Sequence, residues 1–373
     1  MQQLVECVPN FSEGRDSNKI DLIVSEIKSI SGISLLDVSS GVDTNRTVVT
    51  FVGSIPSVEK AAFHAIKVAS KIIDMRKHNG THARLGATDV CPFIPVRNVT
   101  MDDCISLSHR VAKRVGDQLS IPVYLYESSA QVSDRKNLAN IRHGEYEGLG
   151  EKISDKSWVP DYGPSVLNKK SGATIMGARE FLIAYNINLN TLDKRIATDI
   201  AFEIREKGRA KRKKNSYSTN TLDGEIIRYE NEKYPCGLCD YIANKYQNII
   251  NHNTKDHQYD LKSLFIEKGY NKDNLFGKPV IQPGLFNHVK AVGWIVDEYR
   301  MAQISINFTN FKKTPIHEVF DTVCDLAEKR GIRVTGSELV GLVPLNALMM
   351  AGTYYLKKQY STIGIPESRF VEV

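Results

Sequence analysis

Long apolar runs are missing from this 373-residue chain. No stretch approaches the roughly 20 consecutive apolar residues that a membrane-spanning helix needs. The N-terminus, MQQLVECVPNFSEG, also lacks the basic-then-apolar order of an export signal, so a cytoplasmic protein with no membrane association is expected. Cysteine is scarce. Six in this length do not suggest a disulfide scaffold, and Cys7, Cys91, Cys104 and Cys324 stand singly among apolar neighbours, as reduced core residues do. Nor is one sign of charge in large excess: 49 basic against 43 acidic residues leave +6, and much of that is local. The run REKGRAKRKK, Arg205 to Lys214, holds seven bases and one acid. Two readings fit it, a solvated helix end entering a loop or a patch that binds polyanions. What remains is an ordinary globular composition, 42% hydrophobic and 25% charged, with length for two or three domains.

The first half alternates strands and amphipathic helices. Strands are expected at Gln3–Val8, Ile33–Val38, Arg46–Val52, Val90–Val96 and Pro122–Tyr126, and helices at Ile20–Ile30, Ser57–Ile73 and Asp102–Gln118. Strand–helix–strand–strand–helix–strand is the order of the split, ferredoxin-like unit. Periodicity fades from Gly144 to Gly177. It resumes with a strand at Phe181–Leu189 and a helix at Asp193–Lys207, then strands at Val289–Tyr299, Ala302–Phe308 and Gly331–Val334. Helices are expected at Ile316–Lys329 and Pro344–Lys357. The second half is thus another strand-and-helix unit, interrupted by about 75 polar residues over 210–285.

Chemistry concentrates in RKHNGTHARLGATDVCPFIPV, Arg76 to Val96. It crowds His78, His82, Arg76, Lys77, Arg84, Gly80, Gly86 and Asp89 together ahead of a strand. Imidazole can take and give a proton near neutrality, and glycine lets backbone approach a ligand. His82 in such a loop is either an acid/base or a histidine capping a turn. A metal held by His78 and His82 is disfavoured, because the glycine between them weakens the helical geometry that this spacing needs. Ser39 to Val48, SSGVDTNRTV, offers Asp43, Thr44, Asn45 and Arg46 either to a ligand carboxylate or to plain turn chemistry.

Several long, ordered segments resemble the formiminotransferase family. They are ECVPNFSEGRD (Glu6–Asp16), LLDVSSGVDTNRTVVTFVG (Leu35–Gly53), the histidine loop, PDYGPSVLNKKSGATIMGAREFLIAYNINL (Pro160–Leu189), AQISINFTN (Ala302–Asn310) and GSELVGLVP (Gly336–Pro344). The resemblance covers most of 1–209 and again about 286–358. It implies an α+β protein of two ferredoxin-like subdomains, 1–179 and 180–373, the second carrying the insert, with a ligand cleft between them. It also implies transfer of formimidoyl between tetrahydrofolate and glutamate, in histidine degradation and one-carbon metabolism, by a homodimer.

By position, His82 matches the family's catalytic acid/base. Gly163, Pro164, Ser165, Val166, Leu167, Asn168, Lys169, Lys170, Ser171 and Gly172 match its folate-contacting loop. Asn10, Arg46 and Arg84 are further candidates for contact with the folate, and Arg46, Arg84 and Lys77 for the carboxylates of the folate tail and of glutamate or N-formimidoylglutamate. One imidazole can remove the amine proton and return it to the departing pterin nitrogen. The family commonly has an acid two residues after Asp37; here that residue is Ser39, which cannot raise the imidazole pKa as a charge would.

Two more departures stand out. The insert contains YPCGLCDYIANKYQNIINHNTKDH, in which Cys236, Cys239, His252 and His257 have the spacing of a two-cysteine, two-histidine zinc finger. Ala243 replaces the usual aromatic, so a thin core is expected, as is a structural zinc ion if metal binds. The chain also ends, at KKQYSTIGIPESRFVEV, where the family usually continues, and no fused cyclodeaminase domain is expected. Two other functions compete with transfer: folate binding with low activity, suggested by Ser39, and nucleic-acid binding through the finger and its basic neighbour.

Overall fold

Apolar alternation and strong caps build the first unit. The chain divides at Glu180 into units 1–180 and 181–373, and the computed structural model describes residues 3–296 and 300–358. Unit 1 runs β1 (Leu4–Cys7), β2 (Asn10–Phe11), α1 (Ser17–Lys28), β3 (Ile33–Gly41), β4 (Arg46–Gly53), α2 (Ile55–Ile72), β5 (Thr88–Arg97), α3 (Met101–Leu119), β6 (Val123–Glu127), α4 (Leu138–Arg142), α5 (Leu149–Ser154) and β7 (Thr174–Ala178). Strand β3 pairs with β4, which pairs with β1 and β2; these pair with β5, and β7 and β6 extend the sheet in parallel.

Helix starts follow local chemistry. The Asp16 carboxylate accepts from the Asn18 and Lys19 amides at the start of α1, and Thr100 and Asp103 cap α3 reciprocally. Helix α2 buries Val58, Ala61, Ala62, Ala65, Ile66 and Ala69, one stripe at helical spacing, in the core that α1 and α3 share on one face of the sheet. A smaller core on another part of the sheet holds Tyr124, Tyr126, Ile141, Leu149, Ile153 and Ile175. Burial of Ile141 there fixes α4, which carries Arg142 at its end. The stretch read as irregular, 144–177, thus contains α5 and β7. Strand β7 is only TIMGA, too short to show a period.

Unit 2 runs β8 (Ile183–Leu189), α6 (Lys194–Ile204), β9 (Arg209–Ala210), β10 (Tyr234–Pro235), β11 (Ile242–Ala243), α7 (Tyr246–His257), α8 (Leu261–Glu267), β12 (Ile281–Gln282), β13 (Val289–Val296), β14 (Met301–Phe308), α9 (Ile316–Glu328), β15 (Val334–Val340) and α10 (Leu345–Lys358). Its main sheet, β13-β14-β8-β15, is wholly antiparallel, and α6 and α9 share its core. Strand β15 lies at Val334–Val340 rather than at the expected Gly331–Val334. The sequence VTGSELV is largely exposed and alternates weakly, so it announces no strand; pairing with β8 makes it one. Residues 297–299 of the strand expected over 289–299, and 359–373 of the C-terminal segment, lie outside the described residues. No described helix is long and apolar enough to cross a membrane.

The insert has its own core, of Tyr229, Ile249, Leu261, Phe265, Leu275 and Val280 among others. Strands β9 and β12 pair at its neck. Asp199 of α6, fully buried, takes ion pairs from Arg209 at 2.6 Å and Arg330 at 2.7 Å and so joins the neck to the main unit.

Candidate active site

Three loops of unit 1 are lashed together around the two histidines. The Asn45 side chain accepts from the Gly14 amide at 3.0 Å and donates to Asn79 O at 2.8 Å, while Thr81 N donates to Asp43 O at 3.1 Å. The glycines serve this contact between chain segments. A Cβ on Gly80 would lie 2.3 Å from Thr44 O, and one on Gly86 would lie 2.3 Å from Ala173 O. Both glycines are thus needed where chain segments pack closely, and Gly80 also borders an open pocket. Asp43, Thr44 and Asn45 act here as turn and tether residues.

Beneath the loop lies a buried charge network. Asp89 of β5 is fully buried; its Oδ2 accepts from Arg46 Nη1 at 2.8 Å and from Arg142 Nη2 at 2.5 Å, and its Oδ1 from Leu85 N at 3.0 Å. Burial pushes the Asp89 carboxyl up, yet the Arg142 and Arg46 guanidiniums more than offset this and hold it below the ordinary value. Arg46 also donates to Asn10 Oδ1, and its Nη1 lies 3.1 Å from His82 Nδ1. Asn10, expected to contact the folate, and Arg46, expected to contact the folate or a substrate carboxylate, here meet each other, and Arg46 also meets Asp89. Both side chains are engaged within the protein.

His82 Nδ1 also lies 2.7 Å from Ala83 O. The two contacts make opposite demands, since a carbonyl needs a proton on Nδ1 and a guanidinium needs a lone pair there. The carbonyl contact is the shorter, and Arg46 has Asp89 and Asn10 as partners. We therefore assign the proton to Nδ1, which leaves Nε2 with the lone pair. Among the described residues Nε2 has no hydrogen-bond partner. Burial first, then the charges of Arg46 and Arg142, lower the His82 pKa to about 4, so the ring is neutral at pH 7.

His78 differs. Its Nε2 faces Asn45 O at 2.9 Å and its Nδ1 accepts from Arg84 Nε at 3.2 Å, so both nitrogens are used and one neutral tautomer satisfies both. Burial lowers its pKa as well. Arg84 is committed too: its guanidinium holds Glu147 through two bonds, 2.7 and 2.6 Å, and Glu145 at 2.8 Å. Arg84, expected to contact the folate or a substrate carboxylate, thus already meets two glutamates, whereas Lys77 is exposed. A pocket of about 470 Å³ lies on this side, lined by His78, Gly80, Arg84, Glu145 and Glu147 among others, but not by His82.

The stretch 163–172 comes to the histidine loop through its C-terminal part. Gly86 and Gly172 form a β-bridge, Ala87 N donates to Ser171 O at 2.8 Å, and Met75 N donates to Lys170 O at 2.9 Å. Asn168 closes the turn, accepting from Ser171 N at 3.0 Å, and Tyr146 donates to Lys169 O. Gly163, Ser165, Val166 and Lys169 are exposed, Pro164 and Leu167 half-buried, Ser171 and Gly172 buried. Ser39 sits exposed on β3, paired with Val48; the carboxylate of the His82 network is Asp89. Sequence reading gave no role to Asp89 and missed Arg142, Glu145 and Glu147. A polar, aperiodic stretch carries no signal of what its charges will meet.

In the insert, Cys236, Cys239, His252 and His257 gather with their ligand atoms within 4.8 Å of one another. The basic run beside it is partly drawn into the fold, while Lys207, Lys213 and Lys214 stay exposed. Arg205 stacks on Phe202, Arg209 pairs with Asp199, Lys211 donates to Cys236 O and Cys239 O, Arg212 donates to Leu222 O and Gly224 O, and Lys213 pairs with Glu225.

An uncommitted nitrogen on a neutral imidazole, beside a buried acid and two guanidiniums, is an arrangement that can exchange a proton with a bound ligand. Comparison with known families narrows the class. The formiminotransferase domain, N-terminal subdomain, matches residues 4–179, and the formiminotransferase domain matches residues 184–373. The chain belongs to the formiminotransferase family. It is 41% identical over 360 residues to the formimidoyltransferase-cyclodeaminase of Dictyostelium discoideum, which covers 96% of this chain and 54% of that protein. Glutamate formimidoyltransferases from Streptococcus pyogenes serotype M1 and Thermoplasma acidophilum are 35% and 37% identical, over 96% and 95% of this chain and 94% and 92% of their own. The chain thus spans about half the length of the bifunctional relatives it matches.

Proposed function

We propose that the chain transfers the formimidoyl group between 5-formimidoyltetrahydrofolate and L-glutamate, giving tetrahydrofolate and N-formimidoyl-L-glutamate, with His82 as the acid/base. The observation that carries this is His82 itself: neutral, with Nδ1–H on Ala83 O and Nε2 uncommitted. The lone pair on Nε2 takes the proton from the attacking glutamate amine, and the new amine–carbon bond forms as the bond to the pterin nitrogen breaks. The imidazolium then returns that proton to the departing nitrogen. A site that lowers the imidazole pKa makes the ring a strong donor for the second transfer, and an incoming carboxylate strengthens it for the first. The two relatives named glutamate formimidoyltransferase support the reading.

In the same reading the exposed part of 163–172 contacts the folate and Lys77 meets a substrate carboxylate. A homodimer is its expected assembly and the cytoplasm its expected location. The test is a spectrophotometric assay with 5-formimidoyltetrahydrofolate, with and without glutamate. Glutamate-dependent release of tetrahydrofolate is expected; folate binding without that release would overturn the reading.

A further inference from the structure

The four ligand-type residues of the insert are held in the arrangement a tetrahedral metal ion needs. β10 and β11 form a hairpin, with Tyr234 opposite Ala243 and Pro235 opposite Ile242, and α7 follows. Cys236 and Cys239 sit in the turn of the hairpin; His252 and His257 sit on α7. This is the strand–strand–helix order of a zinc finger. Cys239 Sγ lies 3.2 Å from His252 Nε2 and 3.3 Å from His257 Nε2. Bond lengths of about 2.3 Å to sulfur and about 2.0 Å to nitrogen put the edges of a tetrahedron at about 3.3–3.8 Å, so small shifts would close the shell.

The surroundings fit as well as the ligands. The Leu238 amide donates to Cys236 Sγ at 3.4 Å, a contact that favours a thiolate. His252 Nδ1 faces Asp256 Oδ2 at 2.6 Å, which sets the proton on Nδ1 and turns Nε2 to the cluster. Tyr241 stacks on the His252 ring at 4.1 Å. Lys211 Nζ donates to Cys236 O at 2.8 Å and Cys239 O at 2.6 Å, tying the turn to the neck of the insert. Gly237 lies so close to β12 that a Cβ would fall 2.0 Å from Ile281 O. The missing aromatic is made good from outside the finger sequence: Tyr229 and Phe265 meet edge-on at 5.8 Å in the core that includes Ala243.

We propose that Cys236, Cys239, His252 and His257 bind one structural zinc ion, and that this ion holds the fold of residues 211–281 without taking part in the chemistry of unit 1. On binding, both thiols release their protons to solvent and both histidines are neutral, so affinity falls as the pH is lowered. A closed shell of four protein ligands leaves no position for substrate, as in structural rather than catalytic sites.

The test is metal analysis of the reduced full-length chain, with cobalt substitution and limited proteolysis. About one zinc ion per chain is expected, and cobalt should give the visible bands of a tetrahedral site with thiolate charge transfer. Cys239→Ser and His257→Ala should lose at least tenfold in metal affinity, His252→Cys should retain the ion, and Cys324→Ser, outside the cluster, should be unchanged. Removing the metal with a chelator should open 211–281 to protease while unit 1 stays resistant. A reduced chain that takes up no zinc when offered it, or a Cys239→Ser variant with unchanged affinity, would overturn the proposal. Glutamate-dependent turnover measured on the same samples reports separately on the transferase reading.

Discussion

His78 and His82 lie on one loop, four residues apart, and the structure gives them opposite positions. His78 uses both nitrogens, one toward Asn45 O and one toward Arg84. His82 uses Nδ1 toward Ala83 O and keeps Nε2. A histidine with two partners orders a loop; one with a single partner and a lone pair can move a proton. The difference is made by Asp89 of the same motif with distant Arg142 near one ring, and by distant Glu145 and Glu147 on Arg84 near the other.

The largest expected effect comes from removing the anchor of the His82 network. Asp89→Ala leaves two guanidiniums without their buried partner, and denaturant unfolding should show a loss of about 3–5 kcal/mol. A loss under about 1 kcal/mol would mean the pair is not buried as described. Next comes Gly172→Ala. A side chain there meets Leu85 O at 2.2 Å in a backbone with φ of +66°. The variant should be destabilised by about 1–3 kcal/mol, with weaker folate binding because the bridge to Gly86 is disturbed.

Titration sharpens the comparison further. The His82 pKa in the folded chain, about 4, is below the unfolded value near 6.5. Between those values the unfolded chain holds the extra proton, so this contribution to stability is present above pH 6.5 and lost as the pH falls toward 4. Histidine NMR should show His82 unchanged from pH 8 to about 5.5; a midpoint near 6.5 would contradict the burial argument. The smallest effect is expected for Glu147→Gln. Glu147 is mostly exposed, so stability should change by less than about 1 kcal/mol. Kinetics on the same variant would show whether releasing Arg84 lowers the KM for glutamate.

Much of the scaffold was legible because its signals are local. α2 and α3 show their buried stripes in sequence, and Thr100 with Asp103 marks where α3 starts. β15 and β7 were not legible, since pairing partners rather than their own alternation make them strands. The site divides in the same way. The motif that holds His82 could be read, as could the spacing of Cys236, Cys239, His252 and His257. Arg142 could not, because its meeting with Asp89 depends on Ile141 anchoring α4 under the sheet. The basic run misled for a related reason. Arg209 and Lys211 look solvated until Asp199 and the carbonyls of Cys236 and Cys239 are brought beside them.

The most direct measurement compares His82→Ala with His78→Ala in the glutamate-dependent transfer assay, alongside folate binding and thermal unfolding. His82→Ala should lose about 100- to 10,000-fold in turnover with folate binding and stability largely kept. His78→Ala should keep turnover per folded molecule within about tenfold and instead lose about 1–3 kcal/mol of stability through its unpaired partners. Turnover retained in His82→Ala, or abolished only in a stable His78→Ala, would contradict the account.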